Sequence, residues 1–287
     1  MARPDLVSEL VSALRRAAIQ LPSDVVRALG QAQATEDTPR ARAELATIQA
    51  AVGAACADSA PLCQDTGVPA FFVQAGERSP RLPLLREAIC EAVARATHEV
   101  PLRPNSVDPF SGRNPGDNSG LGLPRVDWEL VAGNEIRIDV LLKGGGSENM
   151  SLLCMLTPGE GLAGVKRAVV DHVVASAGNP CPPTVIGVGI GGGAAVSLHL
   201  AERALLRRIG ERHPETQVAL LEQELLTLVN GTGVGPMGLG GRTTALDVHV
   251  EVAFRHPASF PVGILLQCWA ARRSSVLLRA DGTIEAT

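Results

Sequence analysis

Residues 178–210 read GNPCPPTVIGVGIGGGAAVSLHLAERALLRRIG, and the fold class turns on them. Prolines flank Cys181 and hold it at a turn. The run TVIGVGI, 184–190, is apolar and too short for a helix, so it reads as a buried strand. Three glycines end it. Apolar residues then recur at helical spacing through 194–209, up to the stop signal Gly210.

The same reading extends outward in both directions. Upstream, helices are predicted over 160–177, over 82–99, from Thr38-Pro39 to about Ala57, from Ser23 to about Gly30, and over 5–19. Strands are predicted over 151–156 and 69–75. Residues 125–142 alternate apolar and polar around Gly133-Asn134, the pattern of a hairpin of two half-buried strands. Downstream come a helix over 214–229 and strands over 243–253, 261–267 and 274–279. Between them, LRPNSVDPFSGRNPGDNSGLGLP (102–124) is a long polar loop, and loops of that length are often functional. No repeat, low-complexity tract or linker interrupts the chain. The expected fold class is therefore α+β (mixed α/β): helices packed on mixed, largely antiparallel sheets, in a single compact unit over 1–287.

Composition narrows the function. Hydrophobic residues make up 45% of the chain, enough for a sizeable core, but aromatics only 2%, with no Tyr. Stacking platforms for nucleic-acid bases are therefore scarce. The net charge of −4 has no long runs of one sign, which points away from nucleic acid and lipid surfaces. Arg15 and Arg16 break any signal-peptide core, and the apolar stretch near Ala175–Ala201 is too rich in Gly and Pro for a membrane span. A soluble, cytoplasmic protein is expected.

Six cysteines stand at 56, 63, 90, 154, 181 and 268, with no Cys-x-x-Cys pair. Cys56 and Cys90 sit in helical patterns and Cys154 in a strand pattern, so all three read as small buried core residues. Cys63 (PLCQDTG), Cys181 (NPCPP) and Cys268 (LLQCWAARR) each sit where a rigid element ends. Three thiolates from three segments suit an iron–sulfur cluster. Spacing alone leaves six structural thiols as the plainer reading.

Three glycine-rich runs follow: KGGGSEN (143–149), GVGIGGG (187–193) and GTGVGPMGLGG (231–241). The second fits G-x-G-x-x-G between a strand and a helix, but the acidic residues about 20 positions on, Glu211 and Glu215, lie beside a helix break. The alternative meaning is backbone freedom and exposed N–H groups, which suit a carboxylate as well as a phosphate.

Taken together, the motifs resemble a known family: the α subunit, or N-terminal domain, of the iron–sulfur hydro-lyases that include class I fumarases and L-tartrate dehydratase. CQDTG (63–67), PLRPN (101–105), KGGGSEN, NPCPP (179–183), GVGIGG (187–192), GVGPMGLGG (233–241) and RHPASFPVGILLQCWAARR (255–273) carry the resemblance, in the family's order. It implies that Cys63, Cys181 and Cys268 hold a [4Fe–4S] cluster with one iron not ligated by protein. It also implies that Asp65 is a catalytic base, with a turn aspartate bonding its own backbone as the structural alternative. His256 is implied near the substrate. Gln64, Arg103 and the Gly145 N–H are implied substrate contacts, and Lys143 adds positive field. Asn114 and Asn118 are expected to order the long loop.

Single-chain class I fumarases continue into a second domain that is not found here, so the resemblance implies a separate β subunit completing the site. A heterotetramer or a homodimer of α is the expected assembly, and the substrate a small dicarboxylate. KGGGSEN and GVGIGG resemble the fumarase versions of those loops, so fumarate hydratase is the first expectation. L-tartrate dehydratase or a mesaconate-type hydratase is the alternative. A nucleotide-binding oxidoreductase and a non-catalytic cluster-binding relative are the readings from other classes.

Overall fold

The computed structural model describes residues 3–100 and 102–286, so Pro101 of the PLRPN motif lies outside the described residues. In chain order the helices are α1 (Arg3–Ile19), α2 (Ser23–Thr35), α3 (Pro39–Asp58), α4 (Leu85–Glu99), α5 (Gly145–Glu148), α6 (Gly161–Ser176), α7 (Ala194–Ala204) and α8 (Thr216–Asn230). The strands are β1 (Val68–Gly76), β2 (Arg125–Val131), β3 (Ile136–Lys143), β4 (Leu152–Leu156), β5 (Thr184–Ile190), β6 (Ala245–Val252), β7 (Phe260–Gln267), β8 (Arg272–Leu278) and β9 (Ile284–Ala286). The class is mixed α and β with largely antiparallel sheets, as the sequence indicates. The residues gather into two compact units, 1–22 with 51–144 and 272–287, and 23–50 with 145–271.

The first unit is built on a five-stranded sheet in the order β2-β1-β3-β8-β9. One face buries Phe71 and Val73 with Ile136, Ile138 and Val140 against Leu6, Leu10 and Leu14 of α1 and Ile89 and Val93 of α4. Ser274 in β8 donates its hydroxyl to the carbonyl of Ala13, tying α1 to the sheet at 2.8 Å. The hairpin expected over 125–142 does not form. β2 runs parallel to β1, β3 runs antiparallel to it, and β1 lies between them. The more buried run of β1 takes the central place, leaving β2 half-exposed at the edge. Gly76 permits this. A Cβ there would meet the backbone of Gly133 and Asn134 at 2.7 Å, so the turn wraps the end of β1 instead of joining a hairpin.

The second unit holds a four-stranded sheet in the order β4-β7-β5-β6. The period of two in β5 divides its residues. Ile186, Val188 and Ile190 join Val165, Val169, Leu221, Leu225 and Val229 of α6 and α8 in one core. Gly187 and Gly189 face α7, where a Cβ would overlap the carbonyl oxygens of Ala201 and Ser197. The G-x-G of the fingerprint is thus a seat for a closely packed helix. Helix α7 ends at Ala204, short of the expected Gly210. Residues 205–211 instead form turns, with Ile209 N–H bonded to Asp24 and Gly210 N–H to Asp247, both at 2.7 Å.

Candidate active site

In the second unit, two of the three singled-out cysteines adjoin. Cys181 follows the turn after α6, with its N–H donating to the Gly178 carbonyl at 3.0 Å. Its φ of +54° is uncommon for a residue with a Cβ, and such conformations cluster at ligand sites. Cys268 stands just past β7, and the N–H of its neighbour Trp269 donates to the Cys181 carbonyl at 3.1 Å. The glycine loop closes on the same place. Short helix α5 begins at Gly145, and Ser147 accepts the Cys268 N–H on its hydroxyl at 3.1 Å. The 231–241 run reaches it as well: Met237 N–H donates to Pro182 O at 2.8 Å, and a Cβ on Gly238 would meet Gly178 Cα at 2.6 Å. Two glycine-rich motifs far apart in sequence thus pack against the backbone turns of Cys181 and Cys268, both half-buried.

His256 is placed elsewhere. It is exposed on the turn before β7, and its Nδ1 accepts the Ala258 N–H at 3.1 Å. His256 and Cys268 therefore flank opposite ends of an eight-residue strand. At the usual rise the strand between them is about 26 Å long.

In the first unit, the CQDTG segment runs as irregular backbone into β1. Cys63 is half-buried and Gln64 exposed. Asp65 Oδ1 accepts the Gly67 N–H at 3.0 Å, the turn-aspartate bond that the structural alternative requires. The same oxygen accepts Asn105 Nδ2 at 3.0 Å, so the residue does more than close its own turn. Buried Arg272 donates Nη1 to the Asp65 carbonyl at 2.8 Å. Gly67 brings the segment against buried Lys143, where a Cβ would meet the Lys143 carbonyl oxygen at 2.8 Å.

Arg103 points outward from the long loop, its backbone N–H held by Thr66 Oγ1 at 2.9 Å. Asn118, wholly buried, organises that loop. It accepts the Asn105 N–H at 2.7 Å and donates to Thr97 Oγ1 and to the Arg103 carbonyl, each at 3.0 Å. Asn114 does the same more locally, donating to Pro104 O at 2.8 Å. Sequence reasoning missed Asn105, Ser147 and Arg272. Each lies inside a motif that had been noticed, but only its partners reveal its part.

None of the remaining cysteines is the fully buried core residue expected. Cys56 is exposed on α3, not buried. Cys90 and Cys154 are half-buried, and burial pushes the Cys154 thiol upward, away from the thiolate a metal needs. Among the described residues no three His, Cys, Asp or Glu side chains gather as ligands of a single metal ion. A cube of four irons takes each thiolate on a different iron, so its ligands stand wider apart. Adjoining, half-buried Cys181 and Cys268 are soft donors of the kind such a group takes.

The profile of a family described as fumarate hydratase (Fumerase) matches residues 7–277. A Methanocaldococcus jannaschii protein provisionally named L(+)-tartrate dehydratase subunit alpha is 46% identical over 284 residues, covering 98% of this chain and 99% of its own. The L(+)-tartrate dehydratase alpha subunits of Escherichia coli O157:H7 and of Escherichia coli strain K12 are each 38% identical over 267 residues, covering 93% of this chain and 88% of theirs.

Proposed function

We infer, because this chain belongs to the fumarate hydratase (Fumerase) family of hydro-lyases, that it is the α subunit of a two-subunit [4Fe–4S] dehydratase acting on L(+)-tartrate. Nearly full-length similarity to chains bearing that name supports tartrate ahead of the fumarate first expected. Fumarate hydration is the second reading, favoured by KGGGSEN and GVGIGG. The observation that carries the cluster is the Trp269–Cys181 bond, which joins the turns of two cysteines that 86 intervening residues separate.

Cys63, Cys181 and Cys268 would hold the cluster, which supplies, when bound, a Lewis-acidic iron for the substrate hydroxyl and a carboxylate oxygen. The rest falls to side chains and backbone. Arg103 offers an exposed guanidinium fork to a carboxylate, and Gln64 a side-chain amide. The Gly145 N–H, at the start of α5 on the Cys268 side, donates to substrate oxygen. Asp65 takes the proton from the carbon beside a carboxylate as hydroxide leaves the neighbouring carbon. With tartrate the resulting enol becomes a keto diacid, and one water is released. Lys143 adds positive field. His256, called near the substrate by the resemblance, is given no step here, since β7, about 26 Å long at the usual rise, lies between its turn and Cys268. A separate β chain completes the substrate pocket.

The test is anaerobic co-expression with a β-type chain, then parallel assays of L(+)-tartrate dehydration, fumarate hydration and mesaconate hydration. Tartrate should show the highest kcat/KM. A higher value for fumarate would transfer the assignment to the second reading, and a cluster-loaded complex inert to all three would leave the non-catalytic relative.

A further inference from the structure

We propose that Asn105, Arg272 and Gly144 are positioning residues that fix the Asp65 carboxylate, an inference that rests on Asp65 as the base. Asp65 lies on irregular backbone, where its Oδ1 accepts a turn bond from the Gly67 N–H. Asn105 adds a clamp. Its Nδ2 donates to Asp65 Oδ1 at 3.0 Å and to the Gly67 carbonyl at 3.2 Å, bridging both ends of the turn. Asn105 is itself fixed, because its N–H donates to wholly buried Asn118, which is bonded in turn to Thr97 on α4.

Arg272 works on the backbone side. It is 1% exposed, and its Nη1 donates to the Asp65 carbonyl at 2.8 Å, while among the described residues its Nε has no hydrogen-bond partner. Burying a guanidinium is expensive, and an apolar side chain of similar size would fill the space more cheaply. The bond to the Asp65 carbonyl offsets part of that cost. Gly144 supplies the third constraint. A Cβ there would stand 2.8 Å from Asp65 Oδ2 and 3.5 Å from Arg272 Nη2. No positive φ requires glycine at 144, so the missing side chain is a matter of space. Asp65 is thus gripped at its carbonyl and at Oδ1, and Gly144 leaves room for Oδ2. A base needs such placement, since an error of about 1 Å costs about 10²-fold in rate.

The experiment uses the reconstituted two-subunit holoenzyme and the diacid found active above, deuterated at the carbon that loses its proton. Asn105→Ala, Arg272→Met and Gly144→Ala should each lower kcat by about 10–100-fold with KM within about threefold. Visible absorbance should be unchanged, and the deuterium isotope effect on kcat no smaller than in the wild type. Arg272→Lys, which keeps a donor for the Asp65 carbonyl, should recover at least about fivefold over Arg272→Met. Equal losses in the two Arg272 variants, or a raised KM with unchanged kcat in the Asn105 and Gly144 variants, would overturn the proposal. If the Arg272 variants do not fold, the Asn105 and Gly144 variants decide it. Asp65→Asn separates the premises: an active Asp65→Asn enzyme refutes the base itself, whereas an inactive one beside fully active positioning variants refutes only the clamp.

Discussion

Asp247 shows how a single side chain ties the second unit to pH. It is almost wholly buried on β6, which disfavours its charge. His249, the Arg212 guanidinium and the Gly210 N–H outweigh that burial and hold the carboxyl at about 2, below its ordinary 3.8. A depressed carboxyl stabilises the fold above its unfolded value and loses that contribution as pH falls through the folded one. Stability from this group is therefore complete above about pH 5 and fades toward pH 2, by about 2 kcal/mol in all. Asp247→Asn should lower stability at pH 7 by about that amount and flatten its decline between pH 5 and pH 2. Urea unfolding at several pH values measures both. An unchanged acid slope would remove Asp247 from the account of acid sensitivity.

Elements were legible wherever a local pattern decided them. Thr38 caps α3 as read, its Oγ1 accepting the Ala41 N–H at 3.3 Å. The long polar loop has no regular element, and most helix and strand spans fall within a few residues of expectation. Pairing was not legible. The hairpin signal at Gly133-Asn134 was real as a turn, but which strand fills the space beside it depends on β1, more than fifty residues earlier. The glycines of β5 were visible while their purpose was not, because a helix seat and a phosphate cradle use the same spacing. The difference can be tested by substitution. Gly189→Ala would push a methyl into the Ser197 carbonyl and should cost about 3 kcal/mol or more. Gly53→Ala, on α3 with nothing within 4 Å, should instead stabilise by about 0.5–1 kcal/mol. Thermal unfolding of the two variants should move in opposite directions. A neutral Gly189→Ala would mean that α7 does not rest on that glycine.

For the molecule as a whole, each unit gathers its own group of candidate residues. One holds Asp65 with Asn105, Arg272 and Lys143, and the other Cys181 and Cys268 with the Gly145 helix. No helix among the described residues is long and apolar enough to cross a membrane. The central proposal is that thiolates 63, 181 and 268 share a cluster. Iron and sulfide should be counted after anaerobic reconstitution of the wild type and of six single Cys→Ser variants, with the visible spectrum recorded alongside. About four irons per chain are expected in the wild type and in the variants at 56, 90 and 154, with the brown absorbance lost at 63, 181 and 268. Full iron and colour in any of those last three, or their loss at 56, 90 or 154, would contradict it.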